Sequence, residues 1–163
     1  MTAMLPEQSM LLHHQIDQLN AAYASALDDK RFDDWPLFFV EDGAYKIQAR
    51  ENFDRKLPLA LMALESQGMM KDRVYGITQT IFHAPYYMRH VLSPCRITGI
   101  DGDLMHAETN YAVFRTKPGS VSEVYNVGRY IDVIHKKGGN LKLSSRLCVY
   151  DSEMVLNSLI YPV

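Results

Sequence analysis

The sequence is short of the features that most often announce export, membranes or nucleic acid. Of 163 residues only two are cysteines, Cys95 and Cys148, too few for a disulfide framework. The first fifteen residues lack the positive start and sustained apolar core of a secretory leader. No apolar run approaches the ~20 residues that span a bilayer. Charge of either sign is not in surplus, since 17 Lys and Arg face 19 Asp and Glu for a net −2. No basic stretch interleaves with aromatics, so neither nucleic acid nor a membrane surface is an expected partner. A soluble, cytoplasmic protein is the expectation.

What is present fits one domain spanning 1–163, with residues 1–10 expected to form a tail outside it. Hydrophobic residues make up 47%, enough to build a core. Leu12, Ile16, Leu19, Tyr23, Ala26 and Leu27 recur at spacings of three and four and predict a helix, ended by Asp28-Asp29-Lys30. A helical turn is predicted over Phe32 to Val40, with Pro36 tolerated in its first turn. The Glu41-Asp42-Gly43 turn leads to a strand over Ala44 to Ala49, and Leu57 to Gln67 reads as a helix stopped by Gly68. From Tyr86 the period changes to two. Strands are expected near Tyr86, over Leu104 to Arg115, Glu123 to His135 and Leu141 to Asp151. Lys136-Lys137-Gly138-Gly139-Asn140 makes one hairpin turn. The strand near Tyr86 is expected to pair with the Leu104 strand across Asp101-Gly102-Asp103. Helices followed by an antiparallel meander predict an α+β fold with N-terminal helices packed on a curved antiparallel sheet. That is the cone-shaped layout called NTF2-like or SnoaL-like.

Chemistry is hard to find. A Rieske iron–sulfur site needs paired Cys-x-His and Cys-x-x-His motifs. Here Cys95 precedes Arg96 and Ile97, and Cys148 precedes Val149 and Tyr150, so this chain cannot hold that cluster by itself. Zinc-finger spacing, phosphate-binding glycine loops and the nucleophile elbow are also absent. His13 and Asp17, four apart on a helix, could face one metal, but a third ligand is missing and a solvated helix face explains them. The acids Asp28, Asp29, Asp33 and Asp34 fit caps and solvated surface better than catalysis. A cone can enclose a pocket, and Tyr45, His83, His90, Tyr111 and Asp132 are the groups an isomerase or dehydratase of this shape would use. No catalytic residue and no metal ligand is assigned.

Three segments, taken in order, resemble one family. They are Trp35-Pro36-Leu37-Phe38-Phe39-Val40-Glu41-Asp42-Gly43-Ala44-Tyr45 with Arg50-Glu51-Asn52; Lys71-Asp72-Arg73-Val74-Tyr75 leading to Tyr86-Tyr87-Met88-Arg89-His90-Val91; and Gly128-Arg129-Tyr130-Ile131-Asp132 with Arg146-Leu147-Cys148-Val149-Tyr150-Asp151-Ser152. The pattern is similar to the small (β) subunits of aromatic-ring-hydroxylating dioxygenases, from about residue 12 to the end. Met69 to Gly76 and Asn157 to Val163 look most like salicylate-hydroxylating members, with terephthalate-oxidising members close behind. One departure is Ser93-Pro94, where many members carry Ser-Asn, so that Asn's contact is not carried over.

The resemblance implies a non-catalytic subunit of the cone fold. It also implies a large (α) subunit bearing a Rieske [2Fe–2S] cluster and mononuclear Fe(II), three large and three small chains with β–β contacts, and a reductase, with or without a ferredoxin, bringing electrons from NADH. On this reading Arg73, Arg89, His90, Arg129, Arg146, Tyr150, Asp151, Leu159 and Tyr161 are candidate interface or structural residues. The arginines could pair across subunits through their planar forks. They could equally pair within the chain, as Arg146 with Asp132 across neighbouring strands. The apolar tail Val155 to Val163 should close the core or cover a partner.

Overall fold

The computed structural model describes residues 6–137, 139–154 and 159–163. Helix α1 (Pro6–Asp28) buries Ile16, Asn20, Tyr23, Ala24, Ala26 and Leu27, so it starts earlier than the apolar stripe alone predicts and takes in part of the expected tail. It stops where Lys30 turns to φ 58. A 3₁₀ segment, Phe32–Phe38, runs straight into β1 (Phe39–Ala49). Glu41-Asp42-Gly43 is therefore no turn between elements but an irregularity inside β1, between Phe39 and Ala44. Gly43 is required there, because a Cβ would stand 2.9 Å from the Val40 carbonyl oxygen.

The helix expected over Leu57 to Gln67 is not formed. A one-turn helix α2 (Arg50–Asp54) comes first, then an extended stretch, the short strand β2 (Met62–Leu64), and α3 (Gln67–Tyr75). Pro58 removes a donor inside the expected helix. The Gln48 amide donates to the Leu57 and Leu59 carbonyls at 2.7 and 3.1 Å and so holds the stretch extended. Helix α3 begins instead at Ser66, whose hydroxyl accepts from the Met69 N–H as an N-cap. Gly68 lies inside α3 rather than ending a helix. A π-helical turn, Gly76–Thr80, follows.

Strands β3 (Tyr87–Leu92), β4 (Arg96–Asp101), β5 (Leu104–Thr116), β6 (Glu123–Lys137) and β7 (Asn140–Tyr150) complete the sheet. Its order is β2-β1-β7-β6-β5-β3, with β4 also on β5. All pairs are antiparallel except β1 with β7. It is β4, not the strand at Tyr86, that meets β5 across Asp101-Gly102-Asp103, while β3 pairs with the far end of β5. Pro94 falls in the break between β3 and β4, where its missing N–H costs no ladder bond. The predicted hairpin joins β6 and β7 with Gly139 at φ 88; Gly138 lies outside the described residues. Helices α1 and α3 cover one face of the curved sheet, giving the expected α+β cone.

Candidate functional site

Register alone brings the polar residues of the inner face together. One row across β1, β7, β6 and β5 reads Tyr45, Arg146, Asp132, Ala107, and the next reads Ile47, Cys148, Tyr130, Thr109. Arg146 and Asp132 therefore face each other inside the cone, each about 1% exposed. The guanidinium grips the carboxylate in a fork, Nε to Oδ1 at 2.9 Å and Nη2 to Oδ2 at 2.7 Å. Nη2 also donates to the Asn20 side-chain oxygen Oδ1, and Asn20 Nδ2 donates to Thr109 Oγ1 at 3.1 Å. The rings of Tyr23 and Tyr130, set edge to face with each other, both lie against the cation, at 4.2 and 4.0 Å. Tyr130 stacks in turn on Tyr111, whose hydroxyl donates to Asn126 Oδ1 at 2.7 Å.

This arrangement holds a charge in place rather than offering one. Burial by itself would push the Arg146 guanidinium down, but the Asp132 carboxylate holds it well above its ordinary value. Burial raises the phenols of Tyr23, Tyr45, Tyr111 and Tyr130 above 10.0, so all four stay protonated. Both thiols are pushed up to about 12 by burial. They are buried and apart, Cys95 against the His13 carbonyl and Cys148 against the Val163 carbonyl. Among the described residues no three His, Cys, Asp or Glu side chains converge on a metal position.

Nor do the five groups weighed for acid–base work meet. Tyr45 bonds Val163, His83 bonds Tyr161, His90 bonds Asp28, Tyr111 bonds Asn126 and Asp132 bonds Arg146. Among the described residues no two of the five hydrogen-bond each other.

A second set of contacts seats residues 159–163 against the helices and the sheet; 155–158 of the predicted tail lie outside the described residues. Leu159, Tyr161 and Val163 are buried. Arg73 Nη2 donates to the Leu159 and Ile160 carbonyls at 3.1 and 2.7 Å. The Tyr161 ring lies between Phe32 and Tyr86 at 4.8 and 4.6 Å, and its hydroxyl meets His83 Nε2 at 2.6 Å. The Val163 carbonyl accepts from Tyr23 and Tyr45 hydroxyls at 2.9 and 3.0 Å. This strap fills the cone from within the chain.

The candidate interface residues divide accordingly. Arg146 and Arg73 make the contacts given above within the chain, though Arg146 Nη1 and Arg73 Nε have no hydrogen-bond partner, and Tyr150, Leu159 and Tyr161 are buried. His90 is buried, accepting no surface role: its ring Nδ1 lies 2.6 Å from Asp28 Oδ1, and its N–H donates to the same carboxylate. Asp28 is thus a buried anchor rather than solvated surface. Arg89, 73% exposed, stands 3.7 Å from Asp28. Arg129 lies half-buried over the Phe53 ring, and Asp151 takes an exposed contact from Arg50 at 3.2 Å. Asp17, read as solvated, is half-buried and accepts the Cys95 N–H at 2.8 Å. Sequence reasoning missed Asn20, Thr109 and Asn126. Asn20 did carry a signal, since it interrupts the apolar stripe between Ile16 and Tyr23.

Comparison with known proteins agrees with this geometry. The family model described as "Ring hydroxylating beta subunit" matches residues 22–157. The anthranilate 1,2-dioxygenase small subunit of Burkholderia cepacia is 29% identical over 96% of this chain and 97% of its own. A terephthalate 1,2-dioxygenase terminal oxygenase β subunit from Comamonas is 29% identical over 94% of this chain and 100% of its own. A Novosphingobium aromaticivorans crystal structure, described as the β subunit of an aromatic-ring-hydroxylating dioxygenase, superposes with a TM-score of 0.86 at 38% identity, covering 94% of this chain and 97% of that one. A family match over most of its length, with relatives and a solved structure that agree, gives one answer: the chain belongs to the ring-hydroxylating β-subunit family, the small, non-catalytic component of aromatic-ring-hydroxylating dioxygenases.

Proposed function

We propose that this chain is an assembly subunit for an oxygenase whose substrate is an aromatic carboxylate such as salicylate. In this reading it is a single cytoplasmic domain that joins a large subunit carrying the Rieske cluster and the mononuclear iron. Three chains of each kind assemble, with the small chains touching one another. A reductase, with or without a ferredoxin, brings electrons from NADH, and the large subunit does the chemistry. The observation that carries the reading is the closed ion pair of Arg146 with Asp132, sealed by Tyr23, Tyr130 and Asn20. That pair commits Asp132 to Arg146 rather than to a substrate. The choice of an aromatic carboxylate is supported by the wording of Met69 to Gly76 and by the names of the anthranilate and terephthalate relatives.

The test is co-expression with the neighbouring reading frame that carries paired Cys-x-His and Cys-x-x-His motifs. The expected result is one large iron-containing complex that hydroxylates salicylate or anthranilate when a reductase and NADH are supplied, and an isolated small chain without activity. Recovery of this chain alone, free of iron and turning over a substrate by itself, would overturn the proposal.

A further inference from the structure

Three strands lie at the edges of the sheet. β2 is only three residues long, and on β3 the Asp28 carboxylate already accepts the His90 N–H at 3.0 Å. β4 pairs with β5 alone, so its other edge meets no strand among the described residues. Proteins usually blunt such an edge with proline, lysine or a charge turned inward. The run Arg96-Ile97-Thr98-Gly99-Ile100-Asp101 has none of these. Its one interruption is a bulge at Thr98, where the register against β5 shifts between Ile97 and Gly99. That bulge makes the strand complementary to itself. Arg96 stands opposite Glu108 and Asp101 opposite Leu104, both on one face of β5; Ile97 stands opposite Ala107 and Ile100 opposite Met105, both on the other. In an unbroken strand residues 96 and 101 would point to opposite faces, and so would 97 and 100. Ala107 and Met105 are buried, so the two isoleucines share the core side of the sheet and the two charges share the outer side.

We propose that the β4 edge docks the same edge of a second copy of this chain, antiparallel, about a two-fold axis passing between Thr98 and Gly99. Arg96 then faces Asp101 of the second copy, Ile97 faces its Ile100, and each pair forms twice, on a common face. Thr98 meets Gly99, whose missing side chain leaves room where the two bulges oppose. Opposite charges and paired β-branched side chains both stabilise neighbouring strands, and the main-chain groups of the open edges bond each other. The single chain carries the matching needs. Ile100 is 49% exposed and gains cover from the pairing. Asp101 is exposed and makes no ion pair among the described residues. Arg96, 72% exposed beside Glu108, has further guanidinium donors to give. A two-fold contact closes on itself and cannot serve within a ring of three. The inference therefore goes beyond the assembly reading, because it doubles whatever the chain otherwise forms.

Sedimentation equilibrium of the full chain reads the number of chains per particle. An even number is expected. Ile100→Lys sets an ammonium group against Ile97 of the second copy and should halve that number, weakening the association at least about tenfold. Should Ile100→Lys fail to fold, Asp101→Arg acts from an exposed position at the end of the strand. It places like charge against Arg96 of the second copy and is expected to weaken the association about tenfold. Thr98→Cys, beside the two-fold axis, should oxidise to a linked pair of chains, whereas Ser120→Cys, on an exposed turn elsewhere, should not. An odd number of chains, a number that neither charge variant changes, or linkage of Ser120→Cys as readily as Thr98→Cys would overturn the proposal.

Discussion

Arg146 shows how one side chain can be both the most costly and the most useful group in a core. Taking a guanidinium and a carboxylate out of water costs several kcal/mol per ion. Here the cost is offset by two forked hydrogen bonds, a third to Asn20, and two tyrosine rings at about van der Waals contact. Removing only one partner forfeits that compensation. Arg146→Ala should destabilise the chain by about 3–5 kcal/mol, because Asp132 is left buried and unpaired. The double variant Asp132→Leu with Arg146→Met removes both charges and keeps the volume, and should regain most of that loss. Urea denaturation of the three proteins measures it. A double variant no more stable than Arg146→Ala would mean that the surrounding rings and Asn20, and not the stranded carboxylate, dominate the energy.

At the level of elements, the strands were easier to read than the helices, for a physical reason. A strand's two-residue period reports burial directly, so β5, β6 and β7 fall where alternation puts them, and inward parity places Asp132 opposite Arg146. The stretch after α2 misleads because Leu57, Leu61 and Leu64 mimic a helical face, while what decides its shape is Gln48, distant in sequence, binding its carbonyls. Parity also could not show that Arg73 reaches across to residues 159 and 160, since that contact depends on how α3 lies against the sheet. The strap it holds covers the Cys148 thiol, which donates to the Val163 carbonyl and, by burial, is pushed up to about 12. Arg73→Ala should lower stability by about 1–2 kcal/mol, the loss of two charge-assisted bonds discounted for a half-buried donor. It should also speed alkylation of Cys148 about tenfold through local opening, with Cys95 unchanged as internal control. Peptide mapping after timed alkylation reads both sites. Equal rates in variant and wild type would show that the rings around Tyr161, and not Arg73, hold the strap down.

For the whole molecule, the inward commitment of so many candidate residues narrows where a partner can be met. Arg73, His90, Arg146, Tyr150, Leu159 and Tyr161 are satisfied or buried within the chain, which leaves Arg89, Arg129 and Asp151 as the charges of the original set that reach the surface. Their local ties are weak: Arg89 is 73% exposed at 3.7 Å from a carboxylate that His90 already engages, and Asp151 has one exposed contact with Arg50. Exposed pairs of this kind contribute about 0–1 kcal/mol to folding, so their removal should leave the melting temperature of the isolated chain nearly unchanged. A rim charge that meets its complement on another subunit acts chiefly on the rate of association and its salt dependence. The double variant Arg89→Ala, Asp151→Ala, which leaves the half-buried Arg129 in place, should therefore fold normally, yet slow assembly with the large subunit about tenfold and flatten its dependence on salt. Mixing purified subunits at low and high ionic strength, and following complex formation by light scattering, measures both effects. If the variant assembles as fast as wild type at low salt, these charges are solvated surface. The interface must then be sought among the exposed apolar side chains, Tyr75, Tyr87 and Leu59 among them.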